Sequence, residues 1–105
     1  MLKWTSQVKK GVLSFIVLNI LQGNEYYGCE LIEEIKKNAD IDIAEGTLYP
    51  LLNRLKKEEV VNSKWVEQKS GIPRKYYSLT EKGKTTLQEM KEYWVKMNSS
   101  IKNIL

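Results

Sequence analysis

The chain has 105 residues, room for one compact domain and too little for two, and a monomer of this size buries only a modest core. It lacks histidine, a phosphate-cradling glycine loop and any metal-ligand cluster, so enzyme chemistry has little to work with and no cofactor is expected. Net charge is +4, but residues 1–42 hold five Lys/Arg against six Asp/Glu while residues 43–105 hold twelve against seven. The halves therefore carry −1 and +5, and a basic carboxyl-terminal half suits a polyanionic partner.

Thr5 to Gln22 reads as a first helix. Its apolar positions (Val8, Val12, Leu13, Phe15, Ile16, Val17, Leu18, Ile20, Leu21) cover more than one face, so it needs more than one packing partner. One face serves its own domain; the other needs a ligand or a second subunit. The apolar run Val12 to Leu21 is shorter than the ~20 residues that span a bilayer, and no convincing signal peptide precedes it. With a single cysteine and hence no internal disulfide, a cytoplasmic protein without a membrane partner is expected. Gly23 suits the left-handed position just past the helix end.

Tyr27 to Lys37 is a short second helix with Leu31, Ile32 and Ile35 inward. Cys29 on it reads as a small buried or half-buried filler, because a redox sensor would need a depressed thiol pKa. Asn38-Ala39-Asp40 marks a turn, and Ile41-Asp42-Ile43 a brief extended segment.

The stretch Ala44 to Lys57 is the most informative. Leu48, Leu51, Leu52 and Leu55 recur at i, i+3, i+4 and i+7, the pattern of a helix with one buried stripe. Gly46, Tyr49, Pro50, Asn53 and Lys57 fall opposite, a mixture that suits the major groove of DNA, a solvated helix face being the alternative. Pro50 should bend the helix locally, with Gly46 at i−4 leaving room for the adjustment. Val60 to Gln68 and Arg74 to Leu79 are rich in β-branched and aromatic residues and flank a Gly- and Pro-containing turn, hence a β-hairpin. Lys69, Arg74 and Lys75 sit at or beside its tip. A polar-faced helix followed at once by a basic-tipped hairpin is the winged helix-turn-helix arrangement, in which the helix enters the major groove and the wing lies over the backbone.

Thr80 is a good N-cap for a last helix, with Glu81 in its first turn. Leu87, Met90, Trp94, Met97, Ile101 and Ile104 form a heptad seam that no later segment covers. The seam calls for another helix, and the first helix, with Val8 and Val12, has a surplus apolar face; a homodimer through first and last helices follows, packing within one subunit being the alternative. Two reading helices ~34 Å apart would then meet the halves of a palindrome in double-stranded DNA. The expected fold class is mainly α with a small β-hairpin: a winged helix-turn-helix over residues 1–79 and a dimerisation helix over residues 80–105.

Four motifs in order carry a resemblance to a known family: Tyr27-Gly28-Cys29-Glu30-Leu31-Ile32, Glu45 to Leu55, Ser70 to Tyr77, and Leu79-Thr80-Glu81-Lys82-Gly83. The chain resembles the PadR family of bacterial transcriptional regulators, in its subgroup with a single carboxyl-terminal helix. The resemblance implies a dimeric winged-helix protein, usually a repressor. It suggests Thr47, Tyr49, Asn53 and Arg54 near DNA and Arg74 and Lys75 on the wing, with Lys57 and Lys69 adding charge. Tyr76 and Tyr77 alternate along a strand, so at least one belongs to the core. Ala44 stands where the family often has Ser, which leaves Asp42 or water to cap the reading helix. Trp94 matches a tryptophan that in a multidrug-responsive member sandwiches flat aromatic compounds across the dimer; Phe15, Asn19, Met97 and Asn98 would line the same space. Alternatively Trp94 only fills the seam, with Phe15, Met90 and Met97 closing any pore. The expected function is a repressor released by a hydrophobic or aromatic small molecule at the dimer interface. A repressor without effector and a protein-binding winged-helix module are the rivals.

Overall fold

A computed structural model describes residues 2–105; Met1, where the expected winged unit begins, lies outside the described residues. Helix α1 (Leu2–Leu21) starts earlier than the apolar spacing predicts and ends at Gly23, whose φ of +75° is the left-handed value expected there. Leu13, Val17, Leu18 and Leu21 enter the core, while Val12, Phe15, Ile16 and Ile20 stay half-buried.

Strand β1 (Tyr26–Tyr27) was not foreseen. Two residues show no alternation, and they become a strand only because β3 (Arg74–Leu79) lies alongside, pairing Tyr26 with Tyr77 and Tyr27 with Tyr76. With β2 (Val61–Val66) the sheet is antiparallel in the order β1-β3-β2. Tyr27 then caps α2 (Gly28–Ala39) instead of lying inside it, and its N–H donates to Glu30 Oε1 at 3.2 Å.

Helix α2 buries Gly28, Leu31 and Ile35. Cys29 is exposed rather than a core filler: it shares the outer face with Glu33 and Lys36, one and two turns on. Asp40 ends the helix in the left-handed region, and the Ile41–Ile43 segment forms no strand, both isoleucines resting half-buried against the core. Asp42 joins Asp40 in pairing with Lys36, at 3.4 and 3.1 Å, and the two carboxylates, Asp40 first, hold that ammonium above its ordinary pKa. It is therefore not the cap of α3 (Glu45–Lys57), whose N-cap Ala44 makes no side-chain hydrogen bond.

In α3, Leu48, Leu52 and Leu55 are buried and Leu51 half-buried, as the stripe predicts. The helix continues through Pro50, which forgoes only the bond to the Gly46 carbonyl. Helix α4 (Glu81–Lys102) starts tightly against the α3–β2 junction. The Thr80 hydroxyl donates to the Glu59 carbonyl at 2.6 Å and accepts from Gly83 N–H at 2.9 Å, while Thr80 N–H donates to the Val60 carbonyl at 3.1 Å. A Cβ on Gly83 would collide with that same Val60 carbonyl, a backbone atom that cannot swing aside. Gly83→Ala is thus expected to destabilise the fold by about 1–3 kcal/mol, as overpacking does. Thermal unfolding should show a melting temperature lower by roughly 4 °C or more. An unchanged midpoint would mean that α4 is not held at this point.

Candidate nucleic-acid interface

Between α3 and the wing lies a cleft of about 410 Å³. Tyr49 and Asn53, one turn apart on α3, line one wall; Trp65 from β2, Arg74 and Lys75 from β3 and Tyr27 from β1 line the other. The structure thus joins four residues singled out from the sequence with two that were not.

The cations are held by rings. The Arg74 guanidinium lies 4.4 Å from the centre of the Tyr27 ring, and Tyr27 meets Tyr76 edge to face at 5.6 Å. Lys75 sits opposite Trp65 in the register, with its ammonium 5.7 Å from the Trp65 ring and 5.9 Å from that of Tyr77. Such contacts orient a cation while leaving its hydrogen-bond donors free for an anion. Trp65 is 68% exposed, a large apolar surface at the place where the wing would meet a partner. Alternation along the hairpin sets no register and so does not reveal its pairing with Lys75, and Tyr27 reads as a helical residue because β1 is too short to show a pattern.

Tyr49 departs from its expected outward position. It is half-buried, with its hydroxyl against Gly28, where a Cβ would overlap it. α2 comes so close at Gly28 that it covers a face of α3 which periodicity alone assigns to solvent. Burial, then Cys29 and Glu45, raise the Tyr49 pKa, and burial, then Tyr49, raise that of Tyr77. The Cys29 thiol lies 3.9 Å from Glu45 Oε1 on the adjoining surface.

The remaining DNA candidates are exposed but dispersed. Arg54 Nε is 3.9 Å from Glu58 Oε1, Lys57 and Lys69 are exposed, and Thr47 lines a separate groove beside α1.

A second constellation surrounds Trp94. Its ring is 5.7 Å from that of Phe15 and takes part in two adjoining cavities of about 400 and 340 Å³. Met97 and Met90 line the first, Asn19 the second, and Phe15 and Val12 both. Asn98 lines neither, and the Asn19 amide donates to the Phe15 carbonyl at 2.7 Å. Leu87 is buried in its own chain's core, whereas Val8, Trp94, Met97, Ile101 and Ile104 are exposed. A larger cavity of about 720 Å³, lined by the Gly23–Glu25 turn, β2 and Lys84, holds none of the DNA- or ligand-contact residues expected from the sequence.

The model of the PadR-like family of transcriptional regulators matches residues 17–89. The chain belongs to the PadR-like family. This PadR-like chain is 38% identical to a PadR-like transcription factor from Bacteroides fragilis, with a TM-score of 0.83 over 98% of this chain and 99% of that one. A PadR-like transcriptional regulator from Bacillus cereus superposes with the same TM-score, 0.83, at 36% identity over 93% and 95% of the two chains. An uncharacterized protein from Lysinibacillus sphaericus is 34% identical over 91% of this chain and 90% of its own. The PadR-like protein is accordingly a DNA-binding transcription regulator with a winged-helix fold and not an enzyme. Among the described residues no helix is long and apolar enough to cross a membrane.

The two desolvated phenols generate a pH prediction. A phenol whose folded pKa is raised contributes stability that is complete below its unfolded value, about 10, and is lost as pH rises through the folded value. Phenolate absorbance should therefore show the Tyr49 and Tyr77 ionisations delayed beyond the ordinary phenol value of about 10, together with alkaline unfolding. Tyr77→Phe should remove one late ionisation, and six indistinguishable tyrosines would contradict the packing at Gly28.

Proposed function

We propose that this PadR-like chain is a homodimeric repressor of a palindromic double-stranded operator, released by a hydrophobic or aromatic small molecule beside Trp94. The carrying observation is the uncovered apolar surface that starts on α4 at Trp94, 44% exposed, and continues through Met97 and Ile101 to Ile104 just past the helix end. A contiguous apolar strip of this kind marks an interaction site. Val8 and Val12 of α1 extend it towards a second copy. In this reading residues 80–105 with α1 make the dimer, and residues 1–79 form the reading unit.

On DNA, Asn53 reads a base edge, and Arg74 and Lys75 bind phosphates from the wing. Arg54, Lys57 and Lys69 add charge, while Thr47 and the accessible edge of Tyr49 donate to the backbone. A ligand entering beside Trp94 changes the separation of the two wings only by its differential affinity for the two arrangements. The Phe15 ring against Trp94 favours a second reading, a repressor whose central space is already filled and which takes no effector.

Two experiments test these parts. On a duplex selected from a random library, Asn53→Ala should cost ~1–3 kcal/mol and relax preference at one position, whereas Arg74→Ala should weaken all sequences alike. Equal losses on every sequence would remove Asn53 from base reading. Titration with planar aromatic cations should quench tryptophan fluorescence saturably, and Trp94→Ala should abolish the change. Trp4 and Trp65 also emit, so the variant assigns the signal. No saturable change in the parent protein would leave the filled-interface reading.

A further inference from the structure

Residues 3–11 of α1 are exposed throughout, yet the helix here has two chemically different faces. At about 100° per residue, Trp4, Val8, Val12 and Phe15 fall within roughly 80° of one another. Lys3, Ser6 and Lys10 fall on the opposite side with Leu13, and Lys9 lies at its border, about 100° from the middle of the apolar stripe. Leu13 is buried, so the basic face is the amino-terminal continuation of the face that enters the domain core. Its packing sets Lys9 and Lys10 over the start of α3: with Ser6, the Ile41–Ile43 segment and Thr47 they line one groove of about 170 Å³.

The groove carries a net positive charge, Lys9 and Lys10 against Asp42 alone. α1 contains no Asp or Glu, and among the described residues Lys3, Lys9 and Lys10 form no ion pair. The one carboxylate lining the groove, Asp42, is engaged with Lys36 at 3.4 Å. Thr47 lies in the first turn of α3, and the amino-terminal residues of a recognition helix are the ones brought to the DNA groove.

We infer that the basic face of α1, through Lys9 and Lys10, binds DNA backbone phosphates flanking the segment that α3 enters. The inference rests on the DNA-reading role of α3 and enlarges its footprint. Charge complementarity and continuity with the α3 surface through Thr47 select DNA as the occupant. Flexible lysine stems carrying point charges suit phosphates rather than base edges. The apolar face of the same two turns is left free for a second subunit, so one helix serves both contacts without conflict.

The test uses the full chain and a fluorescein-labelled mixed-sequence duplex of about 30 base pairs, with anisotropy followed over a range of KCl concentrations. Each lost phosphate contact lowers the slope of log affinity against log salt by about 0.9. Lys9→Gln/Lys10→Gln should therefore lower it by about 1.8 per protomer, with affinity converging on that of the parent at high salt. Lys9→Arg/Lys10→Arg should keep the parent slope, and circular dichroism should show all variants folded. A parent slope in the Gln variant, beside a loss of about 0.9 in Arg74→Ala, would overturn the α1 contact and leave the wing intact. Parent slopes in both would overturn the α1 contact together with the wing-phosphate reading on which it builds.

Discussion

Three consecutive residues govern how α3 and the wing are set against each other. Tyr26 and Tyr27 tie into the sheet through β3, and Gly28, with no side chain, lets the Tyr49 ring of α3 close against the start of α2. Sheet, α2 and α3 are thereby fixed to one point in the chain. The consequence reaches the cleft directly, because Tyr27 also carries the Arg74 guanidinium on its ring. A side chain at Gly28 would displace the Tyr49 ring from this seat, on the wall of the cleft that also carries Asn53. Backbone pairing, close packing and cation placement thus rest on one short segment with little regular structure of its own.

What was legible in the sequence was whatever repeats. The leucine stripe of α3, the two β-rich runs around a Gly-Pro turn and the heptad seam of α4 each impose a period, and each element is present. The element order was enough to give the winged-helix class, and the motifs enough to give the family. Contacts made once were not legible. β1 exists only through β3; Tyr49 is covered only because α2 approaches at Gly28; Asp42 is drawn to Lys36 and so leaves Ala44 without a substitute cap. Cys29 illustrates a different limit. Its apolar neighbours in sequence suggested burial, yet on a helix the residues one and two turns on, Glu33 and Lys36, define its face.

Charge was legible in sum and misleading in place. The amino-terminal half carries −1 and invites neglect as a nucleic-acid surface. In space part of the charge separates: Glu30, Glu33 and Glu34 share α2 with Lys36 and Lys37, while Lys3, Lys9 and Lys10 lie on a helix without a single acid. Screening over a Debye length of about 8 Å at physiological salt makes such local separation matter more than a segment total. The basic character of the molecule extends past the carboxyl-terminal half, beside the first turn of α3.

The anchoring of α4 has a mechanical consequence. Its base is pinned by Thr80 and Gly83 to the junction between α3 and β2, the root of both reading elements, while its last turns stand free. A helix of 22 residues is about 33 Å long at 1.5 Å per residue. It behaves as a stiff lever with its fulcrum at the root of the wing. Over that length a tilt of only about 5° shifts one end relative to the other by roughly 3 Å, close to the rise of one base pair. In the proposed dimer, a mismatch of that size between two half-sites would put the bound pair out of phase with its DNA, so the leverage of α4 would magnify slight repacking at its far end.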